Sequence, residues 1–283
     1  MSCRVIIGKI HIPYKNGWTY YKPGEHMAAL LIKPNTIHTN LQPLLLVHGI
    51  GGSYPSFSDE FIGALNGNES FEDDMFDIWQ KYNEIFDYRF NYNLNENSIV
   101  FDLGGFKGEW SNKIYTLYKP NIHLFEICKD YFIDLVSFFM YNEKIKLNNF
   151  GLSDCNKELE LFQNGDKTTV FFNKELIEDN NTIKKSKFID FFNYIENNDI
   201  NHIDLMKINI EGGEYDLMDY ILKTDFITKI TDIQIQFHNT VKNHLNRMID
   251  IQTKLRNTHY QSYCFPTIWE NWRIKDDSKI FIG

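Results

Sequence analysis

From residue 98 onward, the apolar positions alternate between short continuous runs and stripes of helical period. The runs at 98–103, 121–127, 145–150, 203–210 and 230–237 have strand length and predict buried strands. Between them, 109–118, 130–142, 188–197, 215–222 and 241–256 repeat apolar residues at helical spacing. Pro120 stops the first of these helices. Segments 158–162 and 168–172 flank Asn164-Gly165-Asp166 and predict an inserted hairpin. Segments 260–265 and 272–275 predict a final strand pair. This alternation predicts an α/β fold, a sheet covered by helices on both faces.

The first 95 residues have a different texture. Strands are predicted at 4–12, 18–22 and 44–47, and a loop at 50–58. A helix is predicted over 73–88, with Met75, Ile78, Trp79, Tyr82 and Phe86 on one face. The Asn-rich stretch 91–97 is the natural boundary between an N-terminal extension, 1–95, and a domain, 96–283. The extension has three readings: a cap on the sheet, an acceptor-binding element, or a subunit contact that would make the protein a homo-oligomer. Trp18, Tyr20, Tyr21, Trp269 and Trp272 are candidates for stacking on sugar faces, although such aromatics more often fill a core.

Composition narrows the function classes. The net charge is -9 with a pI near 5.5, which predicts no nucleic-acid partner, because phosphate binding needs a basic face. No apolar run reaches membrane-spanning length and the N-terminus lacks a signal-peptide layout, so a soluble cytoplasmic protein with no membrane span is expected. Cys3, Cys128, Cys155 and Cys264 form no C-x-x-C pair and read as free thiols, with no metal site.

The chemistry concentrates at the ends of the predicted strands. Asp102-Leu-Gly-Gly-Phe-Lys-Gly108 is a strand end, a glycine turn and a helix start, the geometry that brings a nucleotide-like cofactor to a helix N-terminus. The dinucleotide fingerprint is broken, since Leu103 stands where its first glycine would fall. Glu126 ends the next strand, 24 residues after Asp102, where a carboxylate can accept from two ribose hydroxyls. Turn and acid together suggest an adenosine-containing cofactor without choosing between a dinucleotide and S-adenosylmethionine. The competing readings are a ligand-free turn and a solvated acid. The fourth strand ends Lys207-Ile-Asn-Ile-Glu211-Gly-Gly-Glu214, and a lysine inside an apolar strand is costly unless paired. The fifth ends Gln236-Phe-His238, delivering an imidazole to the same rim.

In this order, Asp102–Gly108, Phe125-Glu126, Asn149-Phe-Gly-Leu-Ser-Asp154 and Lys207–Glu214 resemble the FkbM family of S-adenosylmethionine-dependent methyltransferases. The resemblance covers about residues 96–240. It implies a Rossmann-like class I methyltransferase fold, with a seven-stranded, mostly parallel sheet and an antiparallel last strand. It also implies S-adenosyl-L-methionine as cofactor and O-methylation of a sugar or glycan hydroxyl, or of a related small molecule. Asp102, Gly104 and Gly108 match the family's cofactor loop, and Gly105 and Phe106 stand where Ala-Asn is more usual. Glu126 matches the ribose acid, and Ser153 and Asp154 match the segment bordering the adenine. Asn209 stands where the family has Asp; its amide can orient the cofactor's amino group but supplies no charge and no base.

An alcohol acceptor needs help losing its proton. His238 is the candidate base, with Glu211 competing, and loss of activity is expected as pH falls through about 6.5, the free imidazole value. Two other readings stand beside this one. Leu46-Val-His-Gly-Ile-Gly-Gly-Ser53 resembles a hydrolase oxyanion segment, but no G-x-S-x-G elbow follows. A methyltransferase-like binding module without catalysis is the other, kept alive by Asn209.

Overall fold

The computed structural model describes residues 88–160, 185–265 and 267–275, with positions 76, 79 and 80; within 2–48 and 161–184 it describes the backbone of the strands. Two compact units result: residues 1–88 with 261–270, and residues 89–260 with 271–283. In the first, β1 (Ser2–Arg4), β4 (Ala28–Lys33) and β5 (Leu44–His48) form an antiparallel sheet. There β2 (His11–Tyr14) and β3 (Gly17–Tyr20) pair as a ribbon. The buried Trp79 ring lies edge-on to Phe265 at 5.0 Å. Phe76, Trp79 and Gln80 are helical, as the 73–88 pattern predicts, but Tyr88 already lies in a turn; the other positions of that segment, and the hydrolase-like segment beyond β5, lie outside the described residues.

The main sheet has seven strands. They are β6 (Ile99–Leu103), β7 (Asn121–Phe125), β8 (Ile145–Asn148), β13 (Ile203–Ile208), β14 (Ile230–Ile235), β15 (His259–Phe265) and β16 (Trp269–Ile274). Their spatial order is β15-β16-β14-β13-β6-β7-β8, and the five strands from β14 to β8 are parallel. This is the Rossmann-like, mostly parallel sheet expected of the methyltransferase class. The chain moves outward from β6 to β8 and then returns to place β13 on the other side of β6. That reversal opens a crevice at the carboxyl ends of β6 and β13, where open α/β sheets bind ligands.

Alternation sets the two faces. Val100, Ile122, Leu124, Ile145 and Leu205 pack on one side with Trp110 and Ile114 of α1 (Glu109–Tyr118) and Leu135 and Phe139 of α2 (Lys129–Phe139). Phe101 and Phe125 point the other way, onto Phe191 and Tyr194 of α3 (Phe191–Asn197). Helix α1 ends where Lys119 turns to φ 53 and its N–H returns to the Tyr115 carbonyl, just before Pro120. Two further helices, α4 (Glu214–Ile221) and α5 (His244–Leu255), follow β13 and β14.

The predicted hairpin is part of a second sheet of four strands. It contains β9 (Gly151–Ser153), β10 (Lys157–Asn164), β11 (Lys167–Thr169) and β12 (Thr182–Asp190), in the order β11-β10-β12-β9. The helix predicted from 188 therefore begins three residues later. Phe188 to Asp190 extend β12, and the Asp190 carboxylate caps α3 by accepting from the Asn193 N–H at 2.9 Å. Trp269 and Trp272 are buried, so stacking on sugars is ruled out for them; the side chains of Trp18, Tyr20 and Tyr21 lie outside the described residues. Among the described residues, no helix is long and apolar enough to cross a membrane.

Candidate functional site

The glycine turn is shaped by its neighbours. Leu103 ends β6, and its carbonyl accepts from the Asn209 N–H at 3.0 Å. The chain then turns through Gly104 at φ +82, a conformation that disfavours side chains. A Cβ there would stand 1.9 Å from the Asn209 carbonyl oxygen. Gly104 and Gly105 both donate to the Phe125 carbonyl, at 3.0 and 2.9 Å. Gly108, at φ +80, precedes α1, and a Cβ on it would meet Phe139 and Leu135 of α2. Gly104 thus borders the cavity at the strand ends, while Gly105 and Gly108 allow close packing behind it.

Glu126 follows β7 and is buried. Its Oε2 accepts from the Phe106 N–H at 2.8 Å and its Oε1 from the Cys128 N–H at 2.7 Å. Burial pushes this carboxyl up, against the pull of those two N–H groups. Each carboxylate oxygen keeps a second lone pair for a ligand hydroxyl. Phe106 sits at φ 48, and its ring meets Tyr131 edge-on at 4.6 Å; both border the cavity. No sequence pattern marks Tyr131 for this wall.

Behind the turn, Lys207 and Asp102 face each other across the β6–β13 register. Their side chains meet at 2.8 Å, and both are buried. The other Asp102 oxygen accepts from the Ser111 hydroxyl at 2.6 Å. Burial lowers the Lys207 pKa, and the Asp102 charge opposes that shift. Neither residue borders the cavity.

After β13 the chain turns through Glu211 at φ 51 and Gly212 at φ 108. Glu214, fully buried at the start of α4, holds this turn. Its Oε2 accepts from the Gly212 N–H at 2.8 Å, and its Oε1 accepts from the backbone N–H of His238 at 2.8 Å. His238 Nδ1 lies 3.1 Å from Glu214 Oε1, and Nε2 lies 3.4 Å from Glu211 Oε1. Burial disfavours a charged imidazole here, but the two carboxylates outweigh it and push the His238 pKa up to about 9. The expected midpoint near 6.5 is corrected accordingly: at neutral pH His238 carries its proton. Glu211 borders the cavity, and His238 stands behind it.

The cavity measures about 230 Å³, far more than the ~10–15 Å³ a single water needs. Besides Gly104, Phe106, Glu126 and Tyr131, it is walled by Asn209, Ile210, Glu211 and Asp216 after β13. Ser153 borders it too, while Asp154 stands beside Ser153 and accepts from Lys157 at 2.7 Å. That hydrogen bond, above all, holds the Asp154 carboxyl below its usual value. The second sheet adds Leu152, Leu159 and Phe188, an apolar wall that no pattern in the sequence marks. The wall is close-packed at Gly151, where a Cβ would stand 2.7 Å from the Phe188 ring. The Asn209 side-chain oxygen is buried and has no hydrogen-bond partner among the described residues.

No family model matches the chain, and no curated protein matches it. Solved structures do. M. capricolum TrmK, in complex with the natural cofactor product S-adenosyl-homocysteine, is 15% identical over 65% of this chain and 65% of its own, with a TM-score of 0.36. The Methanococcus jannaschii fibrillarin pre-rRNA processing protein is 8% identical over 97% and 98%, with a TM-score of 0.37. The 23S rRNA methyltransferase ErmE is 10% identical over 65% and 64%, with a TM-score of 0.35. At such identities and TM-scores the likeness carries no argument about this chain's chemistry. The names of the last two refer to ribosomal RNA, and the expectation that nucleic acid is excluded as a partner is withdrawn. The net charge of -9 is a sum over the whole chain and does not say where its positive charges lie.

Proposed function

We propose that this chain is an S-adenosylmethionine-dependent methyltransferase of the FkbM type, transferring methyl to a hydroxyl oxygen of a sugar, glycan or related small molecule. The carrying observation is the cavity at the strand ends, lined by Glu126 and by Asn209, whose buried side-chain oxygen has no hydrogen-bond partner among the described residues. An orphaned buried acceptor calls for a donor. The residues present fit the cofactor: Glu126 would hold the ribose, Gly104 and Asn209 the methionine end, and Ser153 and Asp154 would border the adenine. Asp102 would act from behind the turn, and Gly105, Phe106 and Gly108 would shape the turn itself. When bound, the cofactor supplies a methyl group already activated on a sulfonium.

The chain's own task is to align the acceptor oxygen and take its proton. In this reading Glu211, on the cavity wall, accepts that proton, and His238 holds the carboxylate in place. His238 as the base itself would require the imidazole to be neutral, hence a pH above about 9. The sugar acceptor rests on the ordered motifs alone, now that two of the candidate stacking tryptophans are buried.

S-adenosylhomocysteine is expected to bind saturably in calorimetric titration, and Glu126→Gln should weaken it by about 1–3 kcal/mol, the scale of hydrogen bonds to a charged acceptor. Unchanged affinity in that variant would remove the acid from the site. Labelled methyl from the cofactor is expected on oxygen of a member of a glycan and small-molecule panel. Label on RNA alone, or on nitrogen, would reject the acceptor class. Asn209 supports a second reading: binding without transfer to any acceptor would favour a module that senses the cofactor.

A further inference from the structure

We infer that Lys207 is a positioning residue, whose buried ammonium fixes the carbonyls at the end of β6 and so the shape of the glycine turn that borders the cavity. What that turn binds rests on the proposed cofactor. The Lys207 Nζ lies 2.8 Å from Asp102 Oδ1, 2.7 Å from the Gly104 carbonyl oxygen and 3.4 Å from the Leu103 carbonyl oxygen. An ammonium has three N–H donors, and three acceptors stand around this one. The Trp110 ring lies 5.9 Å away.

The ion pair by itself does not explain a lysine here. A buried pair of charges recovers little net stability compared with apolar residues of similar volume. An apolar pair could not donate to the Gly104 carbonyl. That carbonyl needs a donor because φ +82 at Gly104 turns the chain out of the strand. The ladder has already closed one residue earlier, where Asn209 N–H donates to the Leu103 carbonyl.

The turn is gripped from two further sides. Phe125 takes the Gly104 and Gly105 N–H groups, and Glu126 takes that of Phe106. Lys207 restrains the carbonyl of the peptide between Gly104 and Gly105, while the Gly105 carbonyl accepts from the Gly108 N–H at 2.8 Å. Without it that peptide is held only at its N–H end, by the Phe125 carbonyl, and the cavity-facing surface of the turn is less tightly fixed. Asp102, its two oxygens directed at Lys207 and Ser111, acts through the lysine and not on the ligand.

The test uses the full chain. Lys207→Met alone leaves the Asp102 charge buried and is expected to fold poorly. The double variant Asp102→Asn with Lys207→Met removes both charges and is expected to melt near the wild-type temperature. In it, S-adenosylhomocysteine should bind at least tenfold more weakly, and the amides of Gly105 and Phe106 should exchange with solvent at least tenfold faster. Those of β7 and β14 should keep their rates. Wild-type affinity and exchange in the double variant, or global unfolding of it, would overturn the assignment and leave Lys207 as a charge balance for Asp102. Failure of the wild-type protein to bind S-adenosylhomocysteine would instead reject the cofactor reading, and the exchange rates would then decide the role of Lys207 alone.

Discussion

Gly104→Ala is expected to be the most damaging glycine-to-alanine substitution among the described residues, lowering stability by about 2–5 kcal/mol as strain and overpacking combine. The φ of +82 forces an L side chain into an unfavourable region, and the new Cβ would lie 1.9 Å from the Asn209 carbonyl oxygen. Backbone on both sides makes relief expensive. Moving Asn209 breaks its hydrogen bond to the Leu103 carbonyl, and moving Gly104 breaks those to Phe125 and Lys207. Gly213→Ala is the matched control, because its φ is -71 and its nearest Cβ contact is a flexible Ile210 side-chain atom at 3.2 Å. Urea unfolding of the two variants should separate them clearly. Equal midpoints for both would mean that the turn and the β13 end do not approach as closely as described.

The second large effect is a loss of stability in alkali. The folded pKa of His238 is raised to about 9, above the free value near 6.5, because Glu211 and Glu214 face its two ring nitrogens. A raised pKa means that the folded state holds the proton more tightly than the unfolded chain does. The stabilisation is therefore complete below pH 6.5 and is lost as pH rises through about 9. A shift of this size corresponds to something on the order of 3 kcal/mol. Unfolding of wild type and His238→Gln at pH 6 and at pH 10 measures it. The wild type should lose most of its advantage over the variant at the higher pH, and a constant difference would refute the clamp. The same titration separates the two candidate bases. Single-turnover methyl transfer should fall through about pH 9 if Glu211 needs the imidazolium beside it, and should rise there if His238 must be neutral.

Both effects depend on turns that were readable in one dimension. Leu103-Gly-Gly and Glu211-Gly-Gly each follow a short apolar run, and a strand that ends in glycines must turn sharply. The five parallel strands were legible for the same reason, since strands buried on both faces read as continuous apolar runs. The misreading at Phe188 is equally instructive. Phe188, Phe191, Phe192 and Ile195 have helical spacing, yet Phe188 belongs to β12 and packs over Gly151. Periodicity detects a buried side chain without telling which neighbour buries it.

What the sequence determined by itself is therefore local: where strands and helices begin, where the chain must turn, and which acid, amide and imidazole fall at strand ends. Tertiary structure alone decided their chemical states. Lys207 meets Asp102 because β13 docks beside β6 in one register, 105 residues apart along the chain. His238 is charged because the end of β14 lies against the Glu211–Glu214 turn, and the buried Asn209 side-chain oxygen is left without a partner among the described residues. A residue's charge and hydrogen-bonding capacity depend on the solvent removed and the partners brought near, and both are set by segments distant in the chain.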